Sequence, residues 1–318
     1  MTTPIWAWAG ALAGFAVLIA ADLRFTKGAA GGLRSSALLS ALWIAAAVAF
    51  GGILWLWQGA ALAGQYYAGY VLEKALSVDN ILVFVLLFAS LRVPVPLQRR
   101  VLQYGVIGAL VLRGGLIAAG GVLIGHAGWI FYVFGALVLL AGVRMFRPVA
   151  GHPRENLVAR LLPRVLPVTG DHASDRFVVR DGARITATPL LVALVAVEVT
   201  DLVFALDSIP AVFGVTSNLF VVFTSNAFAV LGLRALYFVL AGSVDRFVFL
   251  KPGIALLLIF IGVKMLISPV AELPVTASLA VIAVVGLSAV GGSLWRERVS
   301  PGRADPRQEP TERKPARR

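Results

Sequence analysis

The chain has 318 residues, 59% of them hydrophobic and 14% charged, with a mean hydropathy of +0.88. These values exclude a water-soluble globular domain and indicate a polytopic membrane protein. A formal charge of +12 would point to nucleic acid in a soluble chain, but here Lys and Arg collect between apolar runs, where they set orientation, and no nucleic-acid partner is expected.

Nine stretches are long enough to cross a bilayer: 4–21, 36–57, 66–91, 101–124, 129–146, 188–210, 218–242, 252–267 and 275–295. The runs are continuous rather than alternating, which excludes a β-barrel; only helices then satisfy their own backbone groups in lipid, so the predicted fold class is all-α. The first stretch has no basic flank and is followed by Asp22, so it is expected to stay as a helix rather than be cleaved as a signal peptide.

With the N-terminus outside, the segments that fall inside carry Arg24, Lys27 and Arg34, then Arg92, Arg99 and Arg100, then the 147–187 loop, Arg246 and Lys251, and the tail. The segments that fall outside, 58–65, 125–128, 211–217 and 268–274, contain no Lys or Arg. An N-out, C-in protein of a bacterial plasma membrane is expected, with Trp6, Trp8, Trp55, Trp57 and Trp129 near the outer interface. The absence of cysteine excludes disulfides, iron–sulfur clusters and thiolate sites.

The chain also resembles itself. Residues 66–147 and 188–268 read as two copies of three helices: Asp79 before ILVF matches Asp201 before LVF, Arg113 matches Arg234, and GVRMF at 142–146 matches GVKML at 262–266, at offsets of 122, 121 and 120. A second register pairs Glu73 and Asp79-Asn80 with Asp201 and Asp207-Ser208 and needs a larger gap. Three helices per copy place the second copy in the membrane upside down, and such inverted repeats hold substrate near the midplane between them. Duplication as a mere scaffold is the alternative.

The predicted organisation is accessory helices in 1–65, a first repeat in 66–147, a cytoplasmic loop in 148–187, a second repeat in 188–268, a ninth helix in 269–295 and a tail in 296–318. The 147–187 segment has seven arginines and four acids. Its RFVVRDGARIT alternates around Asp181-Gly182, which predicts a small β-hairpin. The Pro-, Arg- and Lys-rich tail has little to bury and is expected to be disordered, near anionic lipid.

Chemistry gathers in two acidic clusters inside apolar runs: Glu73, Asp79 and Asn80, and Glu198, Asp201, Asp207 and Ser208. A carboxylate in hydrocarbon costs several kcal/mol unless paired, solvated or coordinated. On a helix Glu73, Ser77 and Asn80 share a face, as do Asp201 and Ser208, with Glu198 one turn before Asp201. Pro210 weakens the hydrogen bonding nearby and can free carbonyl oxygens. Arg113, Arg234 and Lys74 are the expected counter-charges. Five acids and three bases sum to −2, which suits one divalent cation.

The three histidines, His126, His152 and His172, fall between the predicted apolar runs and are expected in loops. An oxygen-only set of carboxylate, amide, hydroxyl and carbonyl groups favours Mg²⁺, Ca²⁺ or Mn²⁺. The alternative is a closed web of buried salt bridges holding the helices together. Gly121 and Gly125 mark close helix packing. No nucleophile elbow, phosphate loop or zinc-protease motif is present, so no catalysis is expected.

The motifs EKALSVDN, YGVIGALVLRG, GVRMF, TATPLLVALVAVEVTDLVFALDSIPAVF, TSNAFAVLGLRALYFVL and KPGIALLLIFIGVKML, in this order over residues 66–268, resemble the TerC family of integral membrane proteins, itself similar to the LysE group of transporters. The resemblance implies metal-ion handling, with manganese export from the cytoplasm or tellurite resistance as the family role, and Mn²⁺ carried rather than permanently bound. It also implies Glu73, Asp79, Asn80, Glu198, Asp201, Asp207 and Ser208 as metal-site residues. A non-transporting scaffold or stress sensor, and an exporter of organic cations, are the rival functions.

Overall fold

A computed structural model describes residues 3–25, 33–91, 93–146, 176–181, 184–241, 249–268, 273 and 275–299. The helices are α1 (Ile5–Phe25), α2 (Leu33–Gln58), α3 (Ala60–Ser90), α4 (Val95–His126) and α5 (Trp129–Met145), followed by strands β1 (Val178–Asp181) and β2 (Arg184–Ala187). Then come α6 (Pro189–Phe213), α7 (Leu219–Leu231), α8 (Leu233–Leu240), α9 (Leu250–Ile267) and α10 (Val275–Val299). Each predicted apolar stretch recurs as helix, except that 218–242 divides at Gly232 into α7 and α8, bent by 41°.

Among the described residues five helices, α1, α2, α4, α6 and α10, are long and apolar enough to cross a membrane, or six if the bent α7–α8 pair is one span; α5 and the Pro252–Ile267 part of α9 are shorter apolar helices. Helix α3 carries Glu73, Lys74 and Asp79 in its middle turns and is not among them. Helix α6 runs through Pro210 to Phe213, so the proline does not break it. Exposed Leu38, Leu56, Val111 and Leu287 present the apolar outer surface expected of helices in lipid.

The predicted hairpin forms, with Val178 opposite Ala187 and Asp181 opposite Arg184; its turn, Gly182 and Ala183, lies outside the described residues. It is tied to the bundle. Thr188 caps α6, accepting from the Leu191 N–H at 3.4 Å and donating its hydroxyl to the carbonyl of Arg176 at 2.8 Å, which satisfies a helix-terminal donor. Phe177 packs edge-on against Tyr104 at 5.1 Å and under the Arg100 guanidinium at 5.7 Å. Residues 148–175, with His152 and His172, lie outside the described residues, as does the tail from 300. The start of the tail needs correction: α10 continues through Arg296 to Val299, and Arg296 sits 5.9 Å from the Phe249 ring, a contact that favours continued helix.

Helix α3 lies at the centre, against α2, α6, α7 and α10; α4 packs on α6 and α5 on α9. The α5–α9 contact is close because glycine faces backbone. A Cβ added at Gly142 would sit 2.8 Å from the Ile259 nitrogen and 2.9 Å from the Ala255 oxygen, and one added at Gly262 would sit 2.6 Å from the Leu139 nitrogen. One added at Gly135 would sit 3.3 Å from the Gly262 oxygen. Small residues let apolar helices approach to where dispersion is strongest.

Candidate intramembrane ion site

The arginine at the centre of α4 collects the site. Arg113 is 2% exposed, and Glu73, Asn80, Asp201, Ser208 and Asn226 are buried with it. Its Nε donates to Asp201 Oδ2 at 2.9 Å and its Nη2 to Asp201 Oδ1 at 2.8 Å, a bidentate pair. Its Nη1 donates to Glu73 Oε1 and, at 3.2 Å, to Asn226 Oδ1. Ser208 donates its hydroxyl to the same Glu73 oxygen at 3.4 Å. One guanidinium therefore joins α3, α4, α6 and α7, with its planar fork matched to a carboxylate as charge-assisted pairing favours.

The two acidic clusters do meet, through Glu73, Asp201 and Ser208, as the helical spacing predicts for one face of each helix. The second glutamate oxygen, Glu73 Oε2, and the amide nitrogen of Asn226 are buried without a hydrogen-bond partner. Asn226 escaped the sequence reading, although an amide inside the apolar run TSNAF carries the same signal that marked Asn80. Ser77, on the Glu73 face, turns its hydroxyl to its own helix, donating to the Glu73 carbonyl at 2.7 Å.

The Glu198 carboxylate lies over Gly105 and Gly108 of α4, where any Cβ on Gly108 would overlap it, and its Oε2 is buried without a partner. Asp207 is half-buried. The side chain of Asp79 lies outside the described residues, although its backbone is part of α3. Among the described residues no three His, Cys, Asp or Glu side chains converge as a metal-ligand set.

Two of the three counter-charges are reassigned. Arg234 Nη2 donates to Asp22 Oδ1 of α1 at 2.6 Å, a carboxylate the sequence reading used only as a helix flank, and Trp43 hydrogen-bonds the same acid. Lys74 Nζ donates to the carbonyl of Ala229 at 3.4 Å. The reason is geometric: Lys74 follows Glu73 by about 100° around α3 and so faces α7 rather than α4. The balance of −2 drawn from the sequence does not describe one pocket; Glu73, Asp201 and Arg113 sum to −1. A small cavity beside them is walled by Gly105, Ala109, Val197, Asp201, Leu233 and Arg234.

A bundle of apolar helices that buries an arginine between carboxylates from separate helices is an integral membrane protein with a polar site inside the bundle, since only a protein interior makes such charges tolerable in lipid. The chain belongs to the integral membrane protein TerC family, whose sequence profile matches residues 58–300. It is 42% identical over 298 residues to an uncharacterized membrane protein of Myxococcus xanthus, covering 92% of this chain and 93% of that one. It is 41% identical over 291 residues, 86% of this chain and 90% of the relative, to an Escherichia coli K12 protein named as a candidate "membrane-bound redox modulator Alx". No solved structure matches.

Proposed function

We propose that the protein is a secondary transporter that exports a hard divalent cation, Mn²⁺ foremost, by alternating access, without a catalytic step. The observation that carries this reading is the Glu73–Arg113–Asp201 cluster, in which a buried glutamate oxygen and a buried amide are left unpaired. Carboxylates held by a removable cation can exchange it for another cation. A divalent ion entering between Glu73 and Asp201 displaces Arg113, and oxygen ligands suit Mn²⁺, Mg²⁺ or Ca²⁺.

Inverted repeats supply the motion. Gly142 meets residues 255 and 259, and Gly262 meets residue 139 while Gly135 approaches it; adding 120 to 135, 139 and 142 gives 255, 259 and 262, so the contact is reciprocal. Its partners descend as the chain ascends, so α5 and α9 run antiparallel. A reciprocal antiparallel crossing is what a two-fold axis perpendicular to both helices produces. The pairing of α3 with α7 and of α4 with α6 obeys the same exchange. The topology proposed with this motion is nine crossings, N-out and C-in, in a bacterial plasma membrane, an arrangement that rests on the apolar runs and the Lys and Arg content of the loops.

Export of two positive charges against an inside-negative potential costs about 4.6 kcal/mol at ~100 mV, and proton antiport through the carboxylates offsets it. The bidentate closure of Arg113 on Asp201 favours a second reading, a structural salt-bridge web in a non-transporting protein.

Reconstituted vesicles loaded with Mn²⁺, Mg²⁺, Ca²⁺ or Zn²⁺ separate the two. Glu73→Gln, Asp79→Asn and Asp207→Asn proteins that elute as folded monodisperse species are expected to lose Mn²⁺ efflux to background. Wild-type vesicles that release no ion of the panel faster than empty ones would leave the web as the function of the cluster.

A further inference from the structure

The bend between α7 and α8 has no proline, and Gly232 sits there with helical dihedral angles, φ −79° and ψ −7°. The backbone bonds at the break run from the Gly232 N–H to Phe228 O at 3.4 Å and from the Leu236 N–H to Gly232 O at 3.1 Å. In an unbroken helix the carbonyl of Ala229 would accept the Leu233 N–H; here it accepts Lys74 Nζ. A Cβ on Gly232 would stand 2.7 Å from that same nitrogen and 3.3 Å from the Trp43 Cβ, so the missing side chain is the space the ammonium occupies.

We propose that Lys74 is a positioning residue that holds the α7–α8 break open, its ammonium taking the place that a bound cation takes at the carbonyl end of a half-helix. Three physical points support this. A cation is favoured at a helix C-terminus, where unpaired carbonyls carry partial negative charge, and carbonyls at helix interruptions are the natural cation ligands inside membranes. A side chain inserted into the hydrogen-bond ladder is a recognised cause of a sharp kink.

The repeat provides an internal comparison. Helix α4, the counterpart of α7–α8 at an offset of 121, runs unbroken from Val95 to His126. The residue of α6 that corresponds to Lys74 at the offset of 122 is Ala196. The copy without a lysine is the copy without a break.

The break orients both ends of the span. Asn226, before it, meets Arg113, and Arg234, after it, meets Asp22. Because Lys74 is bonded in sequence to Glu73, a shift of α3 along its axis that draws Glu73 from Arg113 also displaces the ammonium at Ala229. This coupling to turnover rests on the transport reading above, whereas the break itself does not.

Amide hydrogen exchange of the full chain in lipid nanodiscs tests the break directly. In Lys74→Met the Leu233 N–H regains the Ala229 carbonyl, so exchange across 229–236 is expected to slow by about tenfold, whereas general destabilisation speeds it. Gly232→Ala expels the ammonium and is expected to slow the same peptide, with no further slowing in the double variant, because two changes acting on one contact are not additive. Ethylammonium is expected to restore fast exchange to Lys74→Ala but not to Lys74→Met, whose side chain fills the space. Unchanged or faster exchange in both single variants would overturn the proposal. If exchange slows while Mn²⁺ efflux is absent even from wild type, the break stands and the transport reading falls.

Discussion

Arg113→Met is expected to lower the stability of the purified protein by about 3–5 kcal/mol, the usual consequence of leaving buried charge uncompensated. The guanidinium is the common partner of Glu73 and Asp201, so its removal strands two carboxylates among helices that exclude water. Chemical or thermal unfolding in a fixed detergent measures the loss. Second-site changes then rank the partners. Arg113→Met with Asp201→Asn leaves Glu73, which keeps the Ser208 hydroxyl as donor. Arg113→Met with Glu73→Gln leaves Asp201, for which Arg113 supplied both hydrogen bonds. The first double variant is therefore expected to recover more stability than the second, and equal recovery would show that the pairing is not as described.

The second large effect lies far from any charge. Gly142→Ala and Gly262→Ala each push a methyl group into main-chain atoms of the facing helix, at 2.8 and 2.6 Å from backbone nitrogens, where no rotamer can give way. Overpacking of this kind costs about 1–3 kcal/mol, a fall in melting temperature of roughly 1.5 °C per kcal/mol for a chain of 318 residues. The double variant is expected to lose less than the sum, since the first methyl already parts the helices. Gly115→Ala and Gly286→Ala, where a Cβ would meet nothing within 4 Å, serve as controls and are expected to be neutral or slightly stabilising. A neutral Gly262→Ala would remove the support that the α5–α9 contact lends to a two-fold relation between the repeats.

Much of the architecture was legible beforehand because lipid leaves few alternatives. A continuous apolar run of bilayer length has to be helix, and each predicted run but 218–242 recurs as a single helix, with the hairpin at Val178–Ala187 predicted equally well from alternation and a tight-turn pair. The Glu73 and Asp201 positions were legible for a related reason: a carboxylate inside an apolar run either has a partner or is not tolerated. Asn226 carried a weaker signal of the same kind, an uncharged amide that lipid penalises less. Misreadings fell where a partner is remote. Arg234 was recognisable as an intramembrane charge, yet its acid, Asp22, is 212 residues away on α1. The 218–242 run reads as one helix because glycine alone does not break one; the interruption coincides with a lysine 155 residues earlier.

The sequence by itself determined that this is a mostly helical membrane protein with acidic residues buried in two of its helices, since composition, hydrophobic run length and the cost of a charge in hydrocarbon are properties of the chain alone, and its ordered motifs carried the TerC family. Only the tertiary structure decided which cation neutralises which acid. Pairing depends on helix rotation and crossing to within about an ångström, because a salt bridge or a backbone carbonyl contact forms only at hydrogen-bond distance. Thus Arg113 closes on Glu73 and Asp201, Arg234 turns to α1, and Lys74 enters the break in the seventh helix.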